Sequence, residues 1–266
     1  MKLKPVESKR DVRLGDAHAK WPDHGLSEDE LEHLSAKESA RISDLQRVLY
    51  ADGRYALLIV LQGRDASGKD GTIRKVFSAV NPQGCDVASF KQPTELELRH
   101  DFLWRVHQVV PPRGMIGIFN RSQYEDILVP RVHKLAPKKV WSARYEQINE
   151  FERMLAVNGV VQLKFMLHIS RAEQKARLMD RLTDETKNWK FRAGDLDDRK
   201  RWGDFTKAYR GILEKTSTDW APWYIVPADD NDVRNYLIAR TIADTLESLK
   251  LRYPPPDPAI AGIEVE

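Results

Sequence analysis

The feature that most constrains this chain is a glycine-rich turn that follows an apolar run. Tyr55–Gln62 is a continuous, β-rich apolar segment, which predicts a fully buried strand. It leads into Gly63–Asp70, which fits the pattern G-x-x-x-x-G-K and is followed by a predicted helix. A buried strand before the turn and a helix after it are the context that this pattern requires. We therefore expect the chain to fold around a phosphate-binding loop.

The chemistry of the loop follows from its residue types. Glycines let the backbone curl so that successive N–H groups point at an anion, and the next helix adds partial positive charge at its N-terminus. A lysine at the seventh position adds a full positive charge. An ordinary strand-to-helix turn is the alternative, and spacing and position favour the phosphate loop. Its predicted phosphate-binding residues are Gly63, Arg64, Ala66, Ser67, Gly68, Lys69 and Asp70.

Two carboxylates lie in or next to this loop. Asp70 stands where most phosphate loops have Ser or Thr, and Asp65 lies inside the loop. Carboxylates beside a polyanion repel it unless a cation lies between them, so the loop predicts a Mg²⁺ site, with Mn²⁺ as the alternative ion. Asp70 also suits a helix N-terminus, and we therefore favour Asp65 as the functional carboxylate.

Strands and helices alternate along the chain. Helices are predicted from Ser27 to Asp52 and in five later segments, which run over about 68–80, 94–108, 138–157, 198–215 and 231–251, with a further helix capped by Ser170. The later predicted strands are Asp86–Phe90, Met115–Asn120, Val160–Ile169 and Trp223–Pro227. Five buried strands separated by helices predict an α/β fold with a parallel sheet and right-handed crossovers.

The predicted organisation is one domain with two appendages. The domain covers residues 27–252, an arm or partner contact covers 1–26, and a Pro-rich tail covers 253–266. The polar stretch 183–200 has few core positions, so we interpret it as an insert over the sheet edge.

A second polar cluster follows the predicted strand Met115–Asn120. Asn120, Arg121 and Glu125 come at its carboxyl end, where open parallel sheets bind ligands. Arg121 is a candidate phosphate clamp. A plain surface loop is the alternative, and the position at the strand end argues against it.

A third cluster is basic. Arg177 and Arg181 are four residues apart and share one helix face, and Lys187 and Lys190 follow. These side chains predict a lid that closes over phosphates. Pairing of the same bases with Asp180, Asp184 and Glu185 on a solvated surface is an alternative of equal weight. The aromatic rings of Trp189 and Phe191 are expected to pack the lid down.

Charge and composition exclude several classes of protein. The net charge of +3, from 43 basic and 40 acidic residues, is too balanced for a dedicated nucleic-acid binder. Positive charge is concentrated locally: residues 121–145 hold 6 basic and 2 acidic residues, and residues 164–215 hold 14 and 9. No apolar run approaches the roughly 20 residues that a membrane helix needs, and the single Cys85 favours a reducing cytoplasm.

Four motifs together resemble the polyphosphate kinase 2 family. They are Gly63–Asp70, Phe119–Ser122 with Tyr124–Asp126, Trp189–Phe191, and Ser217–Tyr224. The resemblance spans about residues 20–250. It implies a P-loop kinase sheet like that of thymidylate kinases, with a helical lid at about 177–205. It also implies Mg²⁺-dependent, reversible phosphate transfer between inorganic polyphosphate and AMP, ADP or ATP, in a homo-oligomer of two or four chains.

The resemblance also implies roles for residues. Asp65 and Lys69 match the catalytic pair of the loop, Arg121 matches the arginine after the third strand, and Arg177 and Arg181 match the lid. Members that prefer nucleoside diphosphates have Asp in place of Asn120 and Asn in place of Glu125. This chain looks instead like the third class, which accepts mono- and diphosphates. Because Asn120 stands where those members have Asp, Asp65 and Glu125 are the residues expected to bind the metal.

The acceptor nucleotide is expected near residues 81–105, where monophosphate kinases hold their acceptor. Candidate nucleotide-binding residues are Asn81, Phe90, Thr94, Arg105, Asn120, Tyr124 and Glu125. Core packing is the favoured alternative for Phe90. Two other functions stay open on the sequence: an ATP-dependent small-molecule kinase with the same loop and lid, and a phosphate-sensing module without catalysis.

Overall fold

The computed structural model describes residues 1–260 and shows five strands and ten α-helices within them. The strands are β1 Ala56–Gly63, β2 Cys85–Ser89, β3 Ile116–Asn120, β4 Val160–His168 and β5 Trp223–Pro227. All neighbouring strands run parallel, in the order β2-β3-β1-β4-β5. This confirms the α/β fold with a five-stranded parallel sheet that the sequence predicts.

The helices lie on both faces of the sheet. They are α1 Glu28–Asp52, α2 Lys69–Val76, α3 Glu95–Leu98, α4 Trp104–His107, α5 Glu125–Val132, α6 Lys138–Val157, α7 Arg171–Thr183, α8 Ala193–Lys200, α9 Trp202–Thr216 and α10 Asn231–Ser248. One core cluster joins the sheet to α1, α2 and α10, and the other joins it to α5, α6 and α9. Because both faces are covered, every residue of the central strand β1 is buried.

Local signals set several helix ends as predicted. At the start of α1 the Ser27 hydroxyl accepts a hydrogen bond from Glu30 N, and the Glu30 carboxylate accepts one from Ser27 N. Ser170 caps α7 by accepting from Glu173 N (3.1 Å). Gly53 ends α1 in the left-handed conformation (φ 63°), which costs glycine little.

Two predicted helices are shorter in the structure. The predicted helix over 94–108 divides into α3 and α4, because the Asp101 carboxylate accepts from Leu103 N (2.9 Å) and closes a turn between them. The helix after the glycine-rich loop ends at Val76 and not near Val80. Helix α5, which contains Pro130, is not predicted by the sequence pattern.

The N-terminal arm packs against the chain's own sheet edge. Val6 N donates to Trp223 O (2.8 Å), and Asp229 N donates to Ala19 O (3.0 Å). Five apolar arm residues are buried: Leu3, Val6, Val12, Leu14 and Ala19. The arm therefore covers the exposed edge of β5. Of the predicted C-terminal tail, residues 253–260 are exposed, and the remainder lies outside the described residues.

None of the helices between residues 1 and 260 is both long and apolar enough to cross a membrane.

A buried ion pair lies between β4 and α6. Lys164 Nζ and Glu152 Oε2 are 2.5 Å apart, and both side chains are fully buried. The lysine also donates to Thr216 O (2.6 Å), and the carboxylate accepts from the Tyr124 hydroxyl (2.7 Å) and from Gln123 Nε2 (3.0 Å). Burial raises the pKa of Glu152 and lowers that of Lys164, so each charge depends on its partner.

We predict that Glu152→Ala lowers the free energy of unfolding by about 3–5 kcal/mol, because it leaves the Lys164 charge buried without its partner. The double variant Glu152→Leu/Lys164→Met removes both charges and should recover most of that loss. Urea unfolding of the two variants and of the wild type measures the difference. A double variant as unstable as Glu152→Ala would show that the uncompensated charge is not the cause.

Candidate active site

Parallel pairing brings two loops together at the carboxyl edge of the sheet. Leu61 of β1 is in register with Asn120 of β3. The loop Gly63–Gly68 leaves the first strand and the loop 121–124 leaves the second, so both emerge side by side. This is the edge at which parallel α/β sheets bind ligands.

Glycine is required at two positions of the first loop. A Cβ on Gly63 would lie 2.6 Å from Ser67 Oγ and 2.7 Å from Leu167 O, which is closer than atoms can approach. Gly68 has φ 96° and packs against the Arg234 guanidinium. A loop curled in this way can direct successive backbone N–H groups at an anion.

Lys69 begins α2 and folds back over the loop. Its Nζ donates to Gly63 O (2.8 Å) and to Arg64 O (3.2 Å). Burial, and then the charge of Arg121, lower the pKa of Lys69 to about 8. The ammonium is thus held at the loop by carbonyl groups that a bound phosphate would replace.

Arg121 lies between two carboxylates. Its guanidinium donates to Asp65 Oδ1 (2.6 Å) and to Glu125 Oε2 (3.1 Å), and the charge of Glu125 raises the pKa of Arg121. The residue has φ 64°, an uncommon conformation for a side chain of this size. The structure therefore joins three predicted site residues in one charged cluster.

Two more polar contacts complete this edge. Gln62, in the amide orientation that satisfies both of its ends, donates to Glu125 Oε1 (3.0 Å) and accepts from Ser122 N (3.1 Å). Asn120 Nδ2 donates to Asp70 Oδ1 (2.7 Å). Asp70 is thus held by Asn120, whereas Asp65 and Glu125 are the carboxylates that pair with Arg121.

The donor set at this edge suits a hard cation that is shared with a ligand. Between residues 1 and 260 no group of three or more acidic, histidine or cysteine side chains forms a metal cage. Mg²⁺ is commonly held by only one or two protein carboxylates together with phosphate oxygens and water. The oxygens of Asp65 and Glu125 fit that pattern.

Arg64 and Ser67 of the loop point inward. Arg64 stacks on the Trp202 ring at 3.8 Å and donates to Thr206 Oγ1 (2.6 Å), so it joins the loop to α9. Ser67 Oγ is buried, and no partner for it occurs in residues 1–260. A buried hydroxyl without a partner at this point of the loop is suited to a ligand oxygen.

The loop is supported from behind by two arginines. Arg177 of α7 donates to Ala66 O (3.1 Å) and to Ala228 O (2.8 Å), so the structure places this predicted catalytic residue against the loop backbone. Arg234 of α10 is 2% exposed and donates to Thr72 Oγ1 (2.8 Å) beneath the loop. Arg234 is not predicted from the sequence, because its only signal is a charged residue in the apolar stripe of a helix.

Two of the remaining lid bases, Arg181 and Lys187, are paired with acids. Arg181 Nη1 lies 3.2 Å from Asp195 Oδ2, and Lys187 Nζ lies 2.7 Å from Asp180 Oδ2. Lys190 Nζ lies 5.0 Å from the centre of the Trp189 ring. That ring is 76% exposed, so the expectation that Trp189 packs the lid down is wrong.

The structure separates the predicted nucleotide-binding residues into four groups. Asn120 and Glu125 lie at the charged cluster. Phe90 packs edge-on against Phe119 with ring centres 4.9 Å apart, and Tyr124 is fully buried, so both belong to the core. Asn81 precedes the amino end of β2, at the edge of the sheet away from the loop.

Two further acceptor candidates have local partners. Arg105 is 8% exposed and donates to Asp126 Oδ2 (3.0 Å) and Lys91 O (2.9 Å). Thr94 caps α3 by accepting from Glu97 N (3.2 Å). Arg105 therefore pairs with Asp126, the residue that directly follows Glu125 in the sequence.

Comparison with known proteins gives a consistent family match. The family model "Polyphosphate kinase 2 (PPK2)" matches residues 25–254. An AMP/ADP-polyphosphate phosphotransferase of Meiothermus ruber is 54% identical over 85% of this chain and 85% of its own length. An ADP-polyphosphate phosphotransferase of Rhodopseudomonas palustris is 43% identical over 97% of this chain and 95% of its own.

A solved structure is similar over nearly its whole length. The crystal structure of polyphosphate kinase 2 from Arthrobacter aurescens superposes with a TM-score of 0.88 at 38% identity, over 96% of this chain and 95% of that one. The arrangement of strands and helices around the two loops is thus shared with a polyphosphate kinase 2.

The lowered pKa of Lys69 predicts how anion binding depends on pH. The ammonium is mostly charged one pH unit below about 8, half charged near that value, and mostly neutral one unit above it. We expect the affinity of the wild type for inorganic triphosphate, relative to that of Lys69→Met, to change little below about pH 7. Above pH 8 it should fall by up to about tenfold per unit of pH.

Isothermal titration of triphosphate across this range measures the effect. Lys69→Met is the control, because it keeps the ligand's own titration and the carboxylates Asp65, Asp70 and Glu125 but lacks the ammonium. An identical pH profile for the variant would show that Lys69 is not the group that titrates.

Proposed function

This chain belongs to the polyphosphate kinase 2 family, and from that membership we propose that it is a polyphosphate-dependent nucleotide kinase that phosphorylates both AMP and ADP. The family match over residues 25–254 and the two phosphotransferase relatives support the reaction. The relative named for both acceptors is the Meiothermus ruber protein, at 54% identity. It supports the choice of AMP as well as ADP.

The observation that carries this proposal is the charged cluster on the phosphate loop. Lys69 and Arg121 place two cationic groups at the carboxyl edge of the sheet, and Asp65 and Glu125 hold the guanidinium in a fixed position. Phosphoryl transfer depends mainly on alignment and on neutralisation of charge, and these groups supply both.

The reaction that we propose exchanges one phosphorus–oxygen bond for another. A phosphate oxygen of the acceptor forms a bond to the terminal phosphorus of polyphosphate. The bond from that phosphorus to its bridging oxygen breaks, and the electron pair stays on the shortened polyphosphate. The attacking oxygen is already ionised, so little general-base catalysis is needed.

Each cation of the site has a distinct task in this reaction. Lys69 exchanges its bonds to Gly63 O and Arg64 O for bonds to the donor phosphate. Arg121, held between its carboxylates, faces the space where donor and acceptor meet. When Mg²⁺ is bound by Asp65 and Glu125, it supplies further neutralisation of the phosphate oxygens.

We propose that residues of about 177–205, which include the C-terminal end of α7 and all of α8, form the lid that covers the donor. Arg177 already joins α7 to the loop through Ala66 O (3.1 Å), so movement of the lid is coupled to the loop backbone. The Arg181–Asp195 pair can open to release a base for the phosphate chain. We further propose a cytoplasmic homo-oligomer; light scattering measures its size.

The decisive experiment offers the purified protein long-chain polyphosphate, Mg²⁺ and AMP and follows ADP and ATP. If the proposal is correct, ADP appears first and ATP follows. The same assay with ATP in place of polyphosphate tests the ATP-dependent alternative. Binding of polyphosphate without any product would overturn the proposed function.

Lys69→Ala is expected to reduce kcat/KM for transfer from polyphosphate by at least about 100-fold, because it removes a preorganised charge at the reacting phosphate. Coupled detection of ADP and ATP measures the rate. Lys75→Ala is the matched control: the same substitution on the same helix, at a lysine that pairs with Glu32 on the surface. Near-normal turnover by Lys69→Ala, or an equal loss in both variants, would contradict the assignment.

Glu125→Asn is expected to lower kcat/KM for AMP by about tenfold more than for ADP. It removes one of the two carboxylates that hold Arg121, and AMP offers fewer phosphate groups than ADP to compensate for a displaced guanidinium. Steady-state rates with each acceptor at saturating polyphosphate give the ratio. Asp70→Asn is the control, because it makes the same kind of change at the same edge of the sheet in a carboxylate that does not pair with Arg121. Equal losses with AMP and ADP would show that Glu125 does not discriminate between them.

A further inference from the structure

A groove lies on the outer surface where α5, α6 and α9 meet. Its volume is about 380 Å³. Five basic side chains line it, together with one acidic side chain and two aromatic rings. The basic residues are Arg131, Lys138, Lys207, Arg210 and Lys215, the acidic one is Glu214, and the rings are those of Trp141 and Tyr145.

The positive charge of the groove is largely unpaired. Arg210 pairs with Glu214 at 3.6 Å. Over the described part of the chain, no carboxylate lies within 4.0 Å of the charged nitrogens of the other four bases, which are Arg131, Lys138, Lys207 and Lys215. The lid bases differ in this respect, since Arg177, Arg181 and Lys187 each have an acidic partner.

The aromatic rings fix two of these cations in place. Arg131 donates to the Tyr145 hydroxyl (3.0 Å) and lies 4.9 Å from the centre of the Trp141 ring. Lys215 Nζ lies 4.8 Å from the centre of the Tyr145 ring. A Cβ on Gly211 would lie 2.7 Å from Arg131 Nη1, so glycine at this position lets the guanidinium sit close to α9.

The groove adjoins the active site through two helices. Helix α5 begins at Glu125 and reaches Arg131 six residues later, a distance of about 9 Å along its axis. On α9, Thr206 accepts from Arg64 of the phosphate loop, and the next residue is Lys207 of the groove. Both helices therefore carry residues of the active-site edge and residues of the groove.

We propose that this groove binds the distal part of the polyphosphate chain, several phosphate units away from the reacting end. The inference rests on the proposed function. Lys207 and Lys215 are about 12 Å apart along α9, and Arg131 of α5 and Lys138 of α6 line the same groove; four unpaired cations spread in this way suit a linear polyanion that carries charge on every unit. Like charges held together without acidic partners repel one another, and an anion removes that repulsion.

The test is a comparison of donors of two lengths. The variant Lys138→Gln/Lys207→Gln/Lys215→Gln changes three exposed side chains that have no ion-pair partner within residues 1–260. We expect its KM for long-chain polyphosphate to rise about tenfold, as three exposed charge contacts would require. Its KM for a chain of three or four phosphates should stay within about twofold of the wild type.

The control variant Lys4→Gln/Lys9→Gln/Lys37→Gln removes the same charge from exposed lysines outside the groove. It should leave both KM values unchanged. A rise in KM for long chains in this control, or an equal rise for short and long chains in the groove variant, would assign the effect to net charge and overturn the proposal. A change in oligomeric state on light scattering would assign the groove to a contact between copies and would likewise overturn it.

The wild-type arm of the same experiment separates this inference from the proposed function. Absence of product from wild-type protein with every donor would reject the kinase proposal itself. Product from the wild type, with no difference between donor lengths in the groove variant, would reject only the groove.

Discussion

One backbone hydrogen bond sets the geometry on which the site depends. Arg121 N donates to Leu61 O (3.0 Å) and so continues the pairing of β3 with β1 one residue beyond the strand. The bond holds Arg121 in its left-handed conformation. It also fixes the distance between the loop that follows Leu61 and the loop that follows Arg121, and the Arg121–Asp65 contact spans that distance. The buried Glu152 network holds the second loop from below through Gln123 and Tyr124.

Charge within the cluster is balanced in the structure. Two cations, Lys69 and Arg121, face two carboxylates, Asp65 and Glu125, so the cluster alone has little net attraction for a polyanion. Attraction therefore has to come from what is added to it: loop N–H groups, a divalent cation on the carboxylates, and bases supplied by the lid. This arrangement explains how an overall charge of only +3 is compatible with a highly charged ligand.

The fold was predictable from sequence because its signals are local. The bounds of α6 and β5 agree with their hydrophobic patterns residue for residue, and Ser27 and Ser170 cap the helices that they are predicted to cap. The division between α3 and α4 was not predictable, since it depends on one carboxylate closing a turn.

The site was predictable to the level of motifs but not of contacts. The phosphate loop and Arg121 follow from their positions after strands, whereas the role of each side chain depends on which partner the tertiary structure supplies. Arg177 and Arg181 look alike in sequence, yet one binds the loop backbone and the other an acid of the lid. Tyr124 was predicted to bind a nucleotide because of its motif, and its burial is set by β4 and α6, which lie far along the chain.

The arm over β5 has a consequence for biosynthesis. Val6 bonds to Trp223, so this segment has its partner in a strand that is synthesised much later than the segment itself. Until that strand appears, the apolar residues Leu3, Val6 and Val12 have no surface to cover, and the β5 edge forms unprotected in the moment before the arm docks. In that interval the β5 edge presents backbone groups with which a strand of another chain can pair.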